Sequence, residues 1–146
     1  MNIIIDTNLW ISFAIGKRLA AMQSLLTNPA VKIYVCDELL DEFAQVSARP
    51  KMREHITDDD VRDTYGLMEQ FCHHALIRNK AVSPIRDSKD VWLLSLAETI
   101  SADFILTGDK DLLALQRHAK TRIATYAEFA TFITDESKPK GIREHQ

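Results

Sequence analysis

The sequence predicts an α/β fold, a three-layer α/β/α sandwich built around a mostly parallel central sheet. The run Ile3-Ile4-Ile5 is β-branched and unbroken by polar residues, which is typical of a strand covered on both faces. A second continuous apolar run, Phe104-Ile105-Leu106, lies late in the chain. Helical patterns separate the predicted strands, and such alternation with right-handed crossovers gives a Rossmann-like arrangement.

The length of 146 residues suits one domain, predicted over residues 1–134. The charged segment 135–146 predicts a mobile C-terminal tail. Apolar residues make up 46% and charged residues 27% of the chain, as in ordinary globular proteins. No apolar run approaches the roughly 20 residues that span a bilayer. We therefore expect a cytoplasmic protein with no membrane partner.

The net charge of −3 limits the kind of nucleic-acid contact that the chain can make. Proteins that coat nucleic acid are normally basic, so any such contact is expected to be local, with metal ions as potential contributors. Cys36 and Cys72 lie in apolar sequence surroundings, which favours burial over a disulfide bridge or a zinc site.

Capping and helix-breaking residues mark the elements in the first half of the chain. Gly16 ends the first helix, and Asn28-Pro29 ends the second. Asp37 is the expected N-cap of the third helix, and either Thr57 or Asp58 caps the fourth. These signals predict strand 2–5, helix 9–15, helix 17–27, strand 31–35, helix 38–48 and a long helix that ends near His74.

The second half contains a strongly apolar helix and a second buried strand. Apolar residues from Leu93 to Ile100 recur at spacings of three and four, so one helix face is deeply buried. Thr125 and Glu128 have capping-box spacing for the last helix. The predicted elements are strand 75–77, connector 78–83, helix 91–100, strand 102–107, a short helix through Arg117, strand 122–124 and a helix that ends near Thr134.

Four acids fall at one edge of the predicted sheet. Asp6 ends the first strand, and Glu42 lies on the second turn of the helix after the second strand. Asp90 lies in the first turn of its helix, and Asp109 follows the strand 102–107. Strand C-termini and the following helix N-termini share an edge in such folds, where ligands bind, so we expect one pocket.

A group of carboxylates is unfavourable unless some are protonated or cations lie among them. Two carboxylates about 4 Å apart repel by roughly 4 kcal/mol at an effective dielectric near 20. Oxygen ligands without nearby Cys or His select Mg²⁺ or Mn²⁺, and the histidines show no ligand spacing. A metal held there could activate a water for phosphoryl or phosphodiester chemistry.

Each acid also has a structural explanation. Most of them could simply cap helices or favour helix N-termini, and Glu42 could be a solvated helical residue. Asp87 and Asp111 are candidates to support the pocket from its periphery, although a structural role is slightly favoured for both. All four structural explanations must hold together for the pocket to be absent. We therefore favour one site that the four acids share.

The residues that carry these features resemble a known family. Over residues 2–134 the chain is similar to the PIN domain, most strongly to the VapC-like toxins of bacterial type II toxin-antitoxin systems. Ser88 stands where relatives usually carry proline, and Leu93 where phenylalanine is usual, and neither change removes a ligand. The matching segments are Ile5-Asp6-Thr7-Asn8, Leu39-Leu-Asp-Glu42-Phe43, Arg86-Asp87-Ser-Lys-Asp90 and Leu106-Thr107-Gly108-Asp109-Lys110-Asp111.

This resemblance implies a toxin that is a Mg²⁺- or Mn²⁺-dependent endoribonuclease. Such a nuclease hydrolyses RNA phosphodiester bonds with a metal-activated water and is inhibited by a cognate antitoxin that occupies the groove. Family members commonly form homodimers. The resemblance assigns the catalytic and metal-binding roles to Asp6, Glu42, Asp90 and Asp109, and supporting roles to Asn8 and Thr107.

Two other functions are compatible with the sequence. An aspartyl-phosphate phosphatase or phosphotransferase needs a second acid two positions after Asp6, where Asn8 stands. A PIN-like module without catalysis could only bind a partner, although the presence of all four acids argues against it. Four cations are candidates for contacts with RNA phosphates: Arg49, Lys51, Arg53 and Lys110. The same residues are equally compatible with an ordinary solvated basic surface.

Overall fold

The structure, a computed structural model, describes residues 1–16, 18–78 and 88–137. Six strands in these ranges are β1 Asn2–Ile5, β2 Lys32–Val35, β3 His73–His74, β4 Phe104–Leu106, β5 Arg117–His118 and β6 Thr121–Ala124. They form one sheet in the order β3-β2-β1-β4-β6-β5. Every neighbouring pair is parallel except β5 and β6, which are antiparallel.

Eight helices occur in the same ranges: α1 Thr7–Ile15, α2 Leu19–Leu26, α3 Asp37–Ser47, α4 Pro50–Arg53, α5 Asp58–Phe71, α6 Ser88–Ile100, α7 Lys110–Leu115 and α8 Tyr126–Ser137. Helices α1, α2, α3 and α5 pack together. Because α6 leads from β3 to β4, in the opposite direction along the sheet, a right-handed crossover puts it on the other face. The predicted three-layer α/β/α sandwich is confirmed. Within the described ranges, no helix has the length and apolarity required to span a membrane.

Strand β1 lies at the centre of the core. Ile3, Ile4 and Ile5 are completely buried, and β1 pairs with β2 on one side and β4 on the other. The side chains of β4 are buried as well. These two strands therefore need apolar residues on both faces, which explains why their sequences show no polar alternation.

Two predicted helix caps are confirmed. The Thr57 hydroxyl accepts a hydrogen bond from the Asp60 N–H, and the Asp60 carboxylate accepts one from the Thr57 N–H, which closes a capping box on α5. Thr125 and Glu128 form the same reciprocal pair at the start of α8. Both motifs join residues three positions apart, so the local sequence is sufficient to specify them.

The structure corrects the predicted elements around the third strand. Helix α5 ends at Phe71, and His73-His74, predicted as the exposed end of this helix, form β3 beside β2. The strand predicted at 75–77 is therefore displaced to these two histidines. Asp37 is the first residue of α3 rather than its N-cap, and its Oδ1 lies 2.8 Å from Nε2 of His74.

Further differences lie at the C-terminal side of the domain and after α3. The sequence predicted only the end of a helix after residue 48, whereas the structure has a further short helix, α4, that begins with Pro50. Helix α7 stops at Leu115 because Gln116 adopts a positive φ of 61°, and the next two residues form the unpredicted edge strand β5. Helix α8 extends beyond Thr134 to Ser137. The connector from residue 79 and the tail from residue 138 lie outside the described residues, so the mobility of the tail stays a prediction.

Both cysteines are free thiols, with Cys36 buried and Cys72 half-buried. Burial raises the pKa of each thiol from 9.0 to about 12. Because the thiolate is the reactive form, a rise of this size lowers the reactive fraction by roughly 1,000-fold. We expect iodoacetamide at mildly alkaline pH to label neither cysteine in the folded protein and both after denaturation, as read by mass spectrometry. Rapid labelling of Cys36 in the folded protein would contradict its burial.

Candidate active site

The sheet order reverses between β1 and β4. From β1 the chain continues to β2 on one side, whereas β4 lies on the other side and is followed by β6. In open α/β sheets such a reversal leaves a crevice at the carboxyl ends of the two strands, where ligands bind. Asp6 immediately follows β1 and Thr107 immediately follows β4, so both residues lie at this crevice.

A buried hydrogen bond joins the two strand ends. The Thr107 hydroxyl donates to Oδ2 of Asp6 at 2.8 Å, and both residues are only 1% exposed. The same hydroxyl oxygen accepts a hydrogen bond from the Asp109 N–H at 3.0 Å. Since the hydroxyl has one proton, acceptance from Asp109 leaves that proton directed at Asp6. Three sequence-predicted site residues are therefore connected in one network.

The helix-capping explanation does not account for the Asp6 side chain. Asp6 occupies the N-cap position of α1, and its carbonyl oxygen accepts bonds from the N–H groups of Leu9 and Trp10. Its carboxylate, however, makes no capping hydrogen bond. A carboxylate that is buried without acting as a cap carries a desolvation cost that local helix structure does not explain.

Asp109 shows the opposite behaviour. Its Oδ1 accepts hydrogen bonds from the N–H groups of Asp111 at 2.8 Å and Leu112 at 3.2 Å, so it is the N-cap of α7. The capping explanation that the sequence left open therefore applies to Asp109, in addition to its link with Thr107. Asp111 enters this cap through its backbone, and its side chain is exposed.

Asp90 and Glu42 lie on the two helical layers. Asp90 is 2% exposed in the first turn of α6, the position expected from the sequence. Glu42 lies in the second turn of α3 beside the completely buried Phe43. Its Oε1 is buried and has no hydrogen-bond partner among the described residues. Buried carboxylate oxygens normally have donors or cations beside them, so Glu42 marks a position that an additional ligand can satisfy.

The first turn of α1 contains two further buried polar atoms that the sequence analysis did not assign. Thr7 and Trp10 are completely buried, and neither the Thr7 hydroxyl oxygen nor the Trp10 Nε1 has a partner within the described part of the chain. The sequence feature that could have identified Thr7 as a site residue is the Asp6-Thr7-Asn8 segment, of which it is a part. Both residues belong to the helix that Asp6 begins.

The acids are not already arranged as a metal cage. Among the residues that the structure describes, no group of three or more His, Cys, Asp or Glu side chains is arranged to hold a metal ion. Hydrogen bonds connect Asp6, Thr107 and Asp109, whereas joint metal coordination by the four acids stays a prediction. Asp87, a predicted supporting residue, lies outside the described residues.

The remaining candidates lie on the surface. Asn8, in the first turn of α1, is exposed. Arg53 forms an ion pair with Asp58 between α4 and the start of α5, so it contributes to this junction. The other three predicted RNA-binding cations are exposed and form no ion pair with a described residue; they are Arg49, Lys51 and Lys110.

Comparisons with known proteins agree with this fold. A family model described as PIN domain matches residues 2–111, a range that contains all four candidate acids. No match is found among curated proteins. Among solved structures, the chain is similar to the crystal structure of VapBC2 from Rickettsia felis bound to a DNA fragment from their promoter. The sequence identity is 14%, the TM-score is 0.54, and the match covers 84% of this chain and 97% of the other, which shows a shared fold.

Proposed function

Because the chain belongs to the PIN domain family, we propose that it is a metal-dependent endoribonuclease and the toxin of a toxin-antitoxin pair. In this function it hydrolyses RNA phosphodiester bonds with a metal-activated water. The observation that carries the proposal is the buried Asp6 carboxylate, which Thr107 holds at the crevice between β1 and β4. This position is where an open α/β sheet places its ligand.

The donor chemistry of the site fits Mg²⁺ or Mn²⁺. The candidate ligands are Asp6, Glu42, Asp90 and Asp109, and carboxylate oxygens are the ligands that these ions prefer. The buried Oε1 of Glu42, which has no donor among the described residues, is consistent with a cation that completes its bonding. Since Mg²⁺ usually keeps several waters, the acids can bind it partly through water without forming a tight cage.

A bound ion of this kind supplies an activated water and stabilises the charge on the leaving oxygen. The chain's own residues orient the site. Thr107 fixes one oxygen of Asp6, and the Asp109 N–H fixes the Thr107 hydroxyl. Exposed cations on the same protein, Arg49, Lys51 and Lys110, are our candidates for contacts with RNA phosphates.

The antitoxin is the expected protein partner. The Rickettsia felis structure is a VapBC2 complex bound to promoter DNA. We propose by analogy that this chain also pairs with an antitoxin, which blocks the crevice, and that it forms a homodimer in the cytoplasm. A module that only binds such a partner is the second candidate, favoured by Oδ1 of Asp109, which already accepts two backbone hydrogen bonds as the N-cap of α7.

Replacement of Asp6 by asparagine tests the nuclease directly. We expect purified, antitoxin-free protein to cut a total-RNA pool with Mg²⁺ or Mn²⁺ and to stop in EDTA. The Asp6→Asn variant should lose roughly 100-fold or more of this activity, because even residues that support metal ligands are worth about 10- to 100-fold. Asp59→Asn, a change at an exposed acid on α5, should cut normally.

Cleavage that persists in EDTA or in Asp6→Asn would contradict the acid-metal mechanism. If the intact protein cuts nothing and calorimetry detects no Mn²⁺ binding, the partner-binding function replaces the nuclease.

A further inference from the structure

A second cavity, of about 530 Å³, lies at the β5–β6 edge of the sheet, between α7 and α8. It is distinct from the crevice that contains Asp6. Apolar and aromatic side chains form part of its wall, and two arginines and one acid supply its charge. The lining residues that matter for the argument are Phe104, Leu113, Arg117, Arg122, Glu128 and Phe132.

The two arginines are brought together by strand pairing. Arg117 of β5 is the direct cross-strand partner of Arg122 of β6 in the antiparallel pair. Side chains directly opposite in such a pair lie on the same face, and two like charges there destabilise the pair. The sheet edge therefore holds two guanidinium groups beside one cavity at an electrostatic cost.

Arg122 is held in position by aromatic rings. Its guanidinium carbon lies 5.4 Å from the centre of the Phe104 ring and 5.6 Å from that of Phe132. Contacts of this kind stabilise a cation by its attraction to the face of the aromatic ring. They orient the planar guanidinium without occupying its hydrogen-bond donors, so the donors are available to a ligand in the cavity.

The other basic residues of this hairpin have carboxylate partners. His118 pairs with Glu98 at 2.7 Å, and Lys120 lies 3.5 Å from Asp103. Neither Arg117 nor Arg122 forms an ion pair with any carboxylate of the described residues. These two arginines are therefore suited to bind an external anion.

Glu128 reduces the positive charge of the cavity only in part. Its carboxylate accepts a hydrogen bond from the Thr125 N–H at 3.0 Å as part of the helix cap. Hydrogen bonds with Thr125, and to a smaller extent the charge of Arg122, hold the pKa of Glu128 below its usual range. Two guanidinium groups against one carboxylate leave the lining positively charged, although the whole chain carries −3.

We propose that this cavity binds a phosphate group of single-stranded RNA, outside the cleavage site. Arginine donors match phosphate oxygens in a bidentate geometry. The apolar wall, which includes Leu113 and Phe132, provides a surface on which an unpaired base can pack.

Strand β4 borders both the cavity and the crevice, because Phe104 lines the cavity and Thr107 follows the same strand at the crevice. Ala124 lines the cavity, and its carbonyl oxygen accepts a hydrogen bond from the Thr107 N–H at 3.0 Å. Strands β4 and β6 are neighbours in the sheet, so the cavity borders the strand that ends at the crevice. The choice of RNA rests on the function proposed above, whereas an anion site rests on the arginine pair alone.

Oligonucleotide binding in EDTA tests this inference, because no cleavage occurs and no metal bridges the acids to phosphates. Fluorescence anisotropy of a labelled single-stranded RNA is compared for the parent chain, Arg117→Gln, Arg122→Gln and Lys120→Gln. Each arginine variant should weaken binding about fivefold to tenfold at roughly 50 mM salt and flatten the log–log salt slope by about 0.7. Lys120→Gln, on the same hairpin but paired with Asp103, should change neither value appreciably.

Arg117 provides the sharper variant, because its side chain is exposed on an edge strand, whereas Arg122 packs on phenylalanine rings. Unchanged RNA binding by a folded Arg117→Gln variant would overturn the site. Stronger competition by a charge-matched acidic peptide than by RNA would overturn the choice of ligand. If the parent protein cuts no RNA but binds it, and both arginine variants lose this binding, the anion site is supported and only the nuclease function is rejected.

Discussion

Replacing Thr107 by valine should reduce metal-dependent RNA cleavage by roughly 10- to 100-fold, the usual cost of losing a residue that orients a metal ligand. Valine keeps the shape of threonine but removes the hydroxyl that donates to Asp6 Oδ2 and accepts from the Asp109 N–H. Loss of a hydrogen bond to a charged group should also lower the free energy of unfolding by about 1.5–3 kcal/mol.

Thr107→Ser is the matched control, because it keeps the hydroxyl and should retain most of the activity. Calorimetry with Mn²⁺ separates orientation of Asp6 from a loss of folding, since a folded Thr107→Val variant should bind the ion more weakly. A folded Thr107→Val variant with parental cleavage and Mn²⁺ affinity would show that the hydrogen bond to Asp6 does not serve the active site.

Truncation of Phe43 to alanine should lower the free energy of unfolding by about 3–5 kcal/mol. Phe43 is completely buried, and its ring packs edge-on against Tyr65 with 5.1 Å between ring centres. This contact joins α3 to α5. Because a domain of this size is stable by only about 5–15 kcal/mol, the change should produce a large fall in the denaturant midpoint.

The same change should also reduce cleavage, because Phe43 anchors the turn of α3 that presents Glu42. Gln45→Ala, at an exposed position of the same helix, provides the control and should alter stability by no more than about 0.5 kcal/mol. A Phe43→Ala variant that loses less than about 1 kcal/mol would contradict the burial of Phe43 and its contact with Tyr65.

The local sequence was sufficient to predict two kinds of feature. These are strands that are buried on both faces and helix caps whose hydrogen bonds join near neighbours in the chain. The apolar runs of β1 and β4 predicted central strands because no polar residue can be accommodated there. The capping boxes at Thr57 and Thr125 were predictable because donor and acceptor lie three residues apart. These features determined the α/β class and the edge of the sheet at which a site was expected.

Contacts between distant segments were decided only by the tertiary structure. The two-residue strands β3 and β5 exist because backbone groups of β2 and β6 pair with them, and so short a segment carries no periodic signal of its own. The Asp6–Thr107 bond joins residues 101 positions apart. Both Asp6 and Asp109 stand at helix N-caps in the sequence, but only the Asp109 carboxylate caps its helix. The Asp6 carboxylate binds the Thr107 hydroxyl instead, and this donor is present only because β1 packs beside β4.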